Sequence, residues 1–234
     1  EHPEVMWQLS ESIDGMGDAC RAFGIPVIGG NVSLYNESRG ANIDPTPIIG
    51  MLGMVDRLER RPPGVRLVEG GRLVLLGEVS AALAGSRWAF DQGHRGGMLP
   101  ELDAEAHLRL ADLVRALVSG GLLQGAHDVS TGGLGVALAE MAVRSGIGFS
   151  VARVADHAEL FSEAPSRVVV CVAADDLAPV ERAAEAAGVT ATRLGVATGD
   201  RLVVKDLLDV GLADATRAWR DRLPDALGAG TTQG

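Results

Sequence analysis

The sequence predicts a mixed α/β (α+β) fold, and three observations carry that prediction. From about residue 72 onward, amphipathic helical periods alternate with short apolar runs, the pattern of a sheet flanked by helices. Hydrophobic residues make up 47% of the 234-residue chain but aromatic residues only 3%, so the core must be built from Ala, Val, Leu and Ile. Glycine supplies 31 residues in a chain that is not low-complexity, which marks tight turns and close backbone approaches.

The elements follow in order. Residues 3–23 read as one amphipathic helix, because Val5, Leu9, Ile13, Met16, Cys20 and Phe23 recur at spacings of three or four. Pro3 suits its first turn and Gly24 supplies the stop, while Gly15 and Gly17 point to close packing at its middle. Ile25–Ile28 predicts a short strand broken by Gly29-Gly30; Val32–Tyr35 continues extended, and Asn36–Gly40 is a turn. A further strand is predicted over 47–55, with Gly50 and Gly53 where a neighbour comes close. Residues 56–71 hold charge, two prolines and three glycines, and form the clearest linker or domain edge in the chain. A strand over 73–79 follows, then helices over 103–119, 133–145, 176–187 and 212–222, with strands over 148–153, 167–173, 189–194 and 201–205.

Several function classes are excluded. With 31 acidic against 21 basic residues and a net charge of −10, the chain lacks the footprint of a nucleic-acid binder. Its single lysine, Lys205, excludes a P-loop, and neither G-x-G-x-x-G nor G-x-S-x-G occurs. The histidines at 2, 94, 107, 127 and 157 have no zinc-ligand spacing. No apolar run approaches the ~18 residues of a membrane span and no signal segment opens the chain, so no membrane role is expected. Cys20 and Cys171 lie in apolar-periodic stretches and read as reduced core cysteines of a cytoplasmic protein. The sequons at Asn31 and Asn36 then carry no glycosylation meaning. The chain opens at Glu1, already at a helix start, and reads as a fragment.

Two stretches have the composition of a site. In Gly29-Gly30-Asn31-Val32-Ser33, the glycines expose backbone N–H groups, Asn31 offers a neutral oxygen suited to Mg²⁺, and Ser33 projects to the same side of an extended chain. The same residues also fit a plain strand-to-turn connection with local Asn and Ser capping. In Ala126–Gly135, Ser130, Thr131 and the amides that open a helix could receive an anion; equally, Asp128 or Ser130 could simply cap that helix. His127 and Asp128 are strand neighbours, expected on opposite faces and so not as a dyad. Gly93–Gly97 fits a phosphate loop but better a surface turn, Arg217–Arg222 reads as the solvated face of a terminal helix, and 228–234 as a frayed tail.

Taken together, Ile25–Glu37 followed by Pro45-Thr46-Pro47, Leu75–Glu78 with Gly85-Ser86, Ala126–Leu134 and Leu160–Arg167 resemble, in that order, the second half of the phosphoribosylformylglycinamidine synthase family. The likeness runs from residue 1 to about 205. Gly30-Asn31-Val32-Ser33-Leu34-Tyr35-Asn36-Glu37 is its most specific part, while His127–Leu134 recurs across the wider aminoimidazole ribonucleotide synthetase-like superfamily. Thr131 departs from that pattern, which more often has Asp.

The resemblance implies that residues 1–60 close a second A domain, that 72–225 form its B domain, and that 226–234 are a flexible tail. It implies an ATP-dependent C–N ligase of purine biosynthesis that turns formylglycinamide ribonucleotide, ATP and glutamine-derived ammonia into the amidine, ADP and phosphate. The amide oxygen is phosphorylated and ammonia then attacks the iminophosphate. By the same resemblance Gly30 touches ATP, Asn31 ligates Mg²⁺ and Ser33 contacts the ribonucleotide. No catalytic residue falls in this chain; the remaining acids and the proton-transfer histidine belong to an absent N-terminal half. The chain alone is therefore expected to be inactive, with that half, a glutaminase subunit and a small bridging subunit as partners. The alternatives are a non-catalytic half that binds nucleotide for stability, or another synthetase of the superfamily. A second, structural nucleotide near Asp128 and Ser130 is left open.

Overall fold

The computed structural model describes residues 2–33, 37–43, 45–55 and 60–228. The chain divides into two units, Glu1–Leu58 and Glu59–Gly234. In the first, α1 (Pro3–Phe23) has Pro at its start, Glu4 in its first turn and Arg21 in its last. Those charges complement the helix dipole. Gly24 ends it at φ 65, a left-handed conformation that glycine adopts without strain.

α1 buries no residue, and a Cβ at Gly15 would meet nothing within 4 Å, so the expected close packing is not seen. The strands expected over 25–28 and 47–55 are not formed either, and both segments are exposed coil. A strand exists only when a neighbour pairs with it, and in this unit the described residues supply one pair alone. That pair is β1 (Glu37–Ser38) and β2 (Ala41–Asn42), antiparallel, joined by Arg39 at φ 54 and Gly40 at φ 76. Two consecutive positive φ angles are what a two-residue hairpin turn requires. Leu34, Tyr35 and Asn36, part of the expected extended run and turn, lie outside the described residues, as do 229–234 of the expected tail.

The second unit is a seven-stranded sheet with helices on both faces. Its elements are β3 (Arg72–Leu76), α2 (Arg87–Asp91), α3 (Ala104–Gly120), β4 (Gly125–Asp128), α4 (Gly133–Ser145), β5 (Phe149–Val151), α5 (His157–Phe161) and β6 (Val168–Val172). They continue with α6 (Leu177–Ala186), β7 (Ala191–Ala197), β8 (Arg201–Val204), β9 (Leu208–Gly211) and α7 (Leu212–Ala226). The strand order is β4-β6-β3-β7-β5-β8-β9. Neighbours are antiparallel except β5 and β8.

The two-residue period of a strand explains the core. Leu73, Leu75, Val169 and Cys171 face one side and pack with Leu134, Leu138 and Met141 of α4. Val74, Leu76, Val170 and Val172 face the other and pack with Leu110, Leu113 and Leu117 of α3 and Val180 and Ala184 of α6. Helices on both faces make β3 and β6 nearly continuous apolar runs. Gly71 and Gly195 let backbone and side chains approach where any Cβ would collide.

Of the stretch expected to be a linker or domain edge, residues 56–59 lie outside the described residues. From residue 60 it lies on the second unit: Leu67 is buried in the core, the Gly64 carbonyl accepts from Ala126 N–H at 3.1 Å, and Arg66 Nε donates to the Gln124 carbonyl at 2.9 Å. Charge and proline content marked an edge of the domain without showing that the segment itself is held.

Candidate functional site

Of the two sequence-predicted stretches, Gly29–Ser33 lies in the first unit as exposed, non-helical chain with no strand partner among the described residues. A Cβ on Gly29 or Gly30 would meet nothing within 4 Å, so the backbone there is open to approach. Asn31 is exposed. Among the described residues no group of three or more His, Cys, Asp or Glu side chains is placed to hold a metal ion. Asn31 offers a single neutral oxygen, and among the described residues no carboxylate or histidine cluster is assembled that would complete the shell Mg²⁺ demands.

The second stretch, in the second unit, is a connected polar cluster. β4 runs into a loop that turns through Gly132 at φ 85 and Gly133 at φ 67, and α4 begins there. Neither Asp128 nor Ser130 caps the helix with its side chain: Gly132 occupies the cap position, and the Ser130 carbonyl accepts from Gly133 N–H at 2.9 Å. The helix starts later than the capping pattern suggests: Asp128 and Ser130 precede the cap position at Gly132, and the Ser130 hydroxyl engages Asp128 instead.

His127 sits between two carboxylates. Its Nδ1 lies 3.1 Å from Asp128 Oδ1 and its Nε2 lies 3.0 Å from Glu140 Oε2. The expected separation of His127 from Asp128 does not hold. Asp128 is the last residue of β4, where the pleat no longer fixes the side chain to the opposite face. The Ser130 hydroxyl, as the largest influence, holds the Asp128 carboxyl below the usual carboxylate range; burial opposes it and His127 assists. These groups line a cavity of about 120 Å³ with Thr131 and Val136.

A larger open cleft of about 720 Å³ lies between the end of α4, the β8–β9 hairpin and α7. Two of its arginines are already committed, Arg201 to Asp209 and Arg217 to Asp214, each at 2.6 Å. Gly93–Gly97 is the surface turn its composition predicts, with the Arg95 guanidinium over the Phe90 ring at 3.7 Å and donating to the Phe90 carbonyl. No helix among the described residues is long and apolar enough to cross a membrane.

The model of the AIR synthase related protein C-terminal domain matches residues 68–206, and that of the N-terminal domain matches residues 1–55. The chain belongs to the AIR synthase related protein family. It is similar to the phosphoribosylformylglycinamidine synthase subunit PurL of Nocardioides sp., 46% identical over 231 residues, covering 97% of this chain and 30% of that protein. The PurL subunit of Anaeromyxobacter dehalogenans is 40% identical over 251 residues, with 99% and 33% covered. This member of the family thus spans about a third of the length of these relatives.

Among solved structures, the fold is shared with Thermotoga maritima PurL. The complex with FGAR matches at a TM-score of 0.56 and 17% identity, covering 64% of this chain and 28% of that one. The complex with ATP matches at 0.52 and 18%, covering 70% and 27%.

The residues that sequence reasoning missed in this family member are partners distant along the chain. Glu140 reaches His127 from α4, and Glu163 reaches Gly132 from the loop before β6. Helical periodicity places Glu140 on α4, but no local signal announces Glu163.

Proposed function

We propose that this chain is part of an ATP-dependent ligase that makes formylglycinamidine ribonucleotide from formylglycinamide ribonucleotide, ammonia and ATP in purine biosynthesis. The observation that carries the reading is the 46% identity over 97% of the chain to a protein named as a subunit of that synthase. It is supported by the open backbone of Gly30, within the segment matched by the N-terminal family model.

In this reading the Gly30 backbone approaches ATP, Asn31 gives one oxygen to Mg²⁺, and Ser33 contacts the ribonucleotide. Mg²⁺, where bound, would neutralise charge that develops on the transferred phosphoryl group. Phosphates, water and groups outside this chain complete its shell, because one neutral oxygen is not enough. This chain holds a single lysine, so what it can itself bring to the phosphates is arginines and backbone N–H groups beside the metal. The remaining acids and the proton-transfer histidine belong to the rest of a longer polypeptide. Ammonia arrives from a glutaminase subunit through a small bridging subunit. The reading carries a cytoplasmic location.

The experiment is Asn31→Ala in the longer enzyme, with turnover, Mg²⁺ dependence and thermal unfolding measured together. A ligand role predicts a large loss of kcat, with unfolding unchanged and more Mg²⁺ needed for half-maximal rate. A shift in stability with the rate preserved would refute it. Residues 1–234 alone should show no ammonia-dependent ATP turnover until the rest of the enzyme is supplied.

A further inference from the structure

Two helix starts far apart in sequence converge on one carboxylate oxygen. The Gly132 N–H, at the cap of α4, and the Arg87 N–H, at the first residue of α2, each donate to Oε1 of Glu163 at 2.7 Å. The first N–H groups of a helix have no partner within it and carry partial positive charge, so a carboxylate there is favoured.

The segment that carries Glu163 is firmly held. Ser162 is fully buried, and Arg167 is only 4% exposed. Arg167 Nε donates to the Ala164 carbonyl at 3.0 Å and Nη2 to the Ser162 carbonyl at 2.6 Å. Ser166 is in a left-handed conformation, φ 60, and its hydroxyl lies 3.0 Å from His107 Nδ1.

This same segment covers the first turn of α4. A Cβ on Gly133 would stand 2.6 Å from the Ser162 carbonyl oxygen, and one on Gly135 would stand 3.1 Å from the Leu160 and Phe161 side chains. Gly132, Gly133 and Leu134 are buried. An incoming anion would also face Asp128 and Glu140, both of which line the adjoining cavity.

We propose that Glu163 is a built-in counter-anion, which ties the start of α2 to the start of α4 and closes α4 to phosphate from outside. The glycine pair 132–133, whose composition suggests an anion cradle, then serves close packing against residues 161–163. This inference concerns the second unit and is independent of the roles proposed for Gly30, Asn31 and Ser33.

Amide exchange and a titration with inorganic phosphate, both read by NMR on the 234-residue chain, test it. In the unsubstituted chain the Gly132 and Arg87 amides should be protected and show no saturable shift with phosphate. Glu163→Ala should speed exchange at both together by about tenfold, the equivalent of one ordinary hydrogen bond each. Glu163→Gln, whose amide oxygen still accepts, should keep most of the protection while both amide proton resonances move upfield together; it carries the test if the alanine variant does not fold. Saturable phosphate shifts at Gly132 in the unsubstituted chain, unchanged exchange in Glu163→Ala, or a response at one amide alone would overturn the proposal.

Discussion

His127 Nε2 and Glu140 Oε2 stand 3.0 Å apart, and through that contact the end of β4 is tied to the middle of α4. The His127 side chain is 14% exposed and that of Glu140 31%, so the pair is partly withdrawn from water. Glu140→Ala should therefore cost about 1 kcal/mol in urea unfolding, more than an exposed pair would. A double-mutant cycle with His127→Ala should give a coupling of roughly 0.5–1 kcal/mol. Strict additivity of the two substitutions would show that the contact contributes nothing.

Gly195 offers a contrast with Gly30. β7 runs between β3 and β5, and a Cβ at Gly195 would lie 2.9 Å from the Ser150 carbonyl carbon and the Val151 Cα. These backbone atoms cannot give way, so Gly195→Ala should lose about 2 kcal/mol or more. Gly30→Ala meets nothing within 4 Å and should leave unfolding within about 0.5 kcal/mol. In the longer enzyme the same Gly30→Ala change should raise KM for ATP, because the proposed role needs close approach to the backbone. Unchanged ATP kinetics would count against that role.

The Asp128 carboxyl is held below its usual range chiefly by the Ser130 hydroxyl. A value lowered in the folded state adds stability above the unfolded-chain value of about 3.9, and that stability is lost as pH falls through the folded value. Asp128→Asn should thus narrow the difference in unfolding midpoint between about pH 6 and about pH 3. The side chain is 70% exposed, so solvent screening keeps the effect small. A variant with the same pH profile as the unsubstituted chain would contradict the assignment.

The two cysteines should differ in reactivity. Cys171 lies on β6 at 0% exposure, and burial pushes its thiol up, away from the reactive thiolate. Cys20 is half-buried on α1. Iodoacetamide should label Cys20 in the native chain and Cys171 only after denaturant is added, as mass spectrometry of the peptides would show. Equal labelling of both would contradict the packing of β6.

The helices were the most legible elements because their signals are local. Asp103 before the run of α3 caps it through a hydrogen bond to Ala106 N–H at 2.9 Å, and Gly121 and Gly146 stop α3 and α4 in left-handed conformations. Strands of the second unit were legible wherever an apolar run met a partner. The runs over 25–28 and 47–55 look the same in sequence, yet they form no ladder among the described residues. The short strand β9 and the helices α2 and α5 gave too brief a pattern to predict.

The sequence by itself determined the mixed fold class, the apolar stripes that become the two core faces, and the open glycine-asparagine-serine stretch of residues 29–33. Only the tertiary structure decided the strand order, the carboxylates that flank His127, and the seating of Glu163 on Gly132 and Arg87. Periodicity and capping act within a few residues along the chain. Hydrogen bonds between a loop carboxylate and distant helix starts exist only once the sheet has brought those segments together.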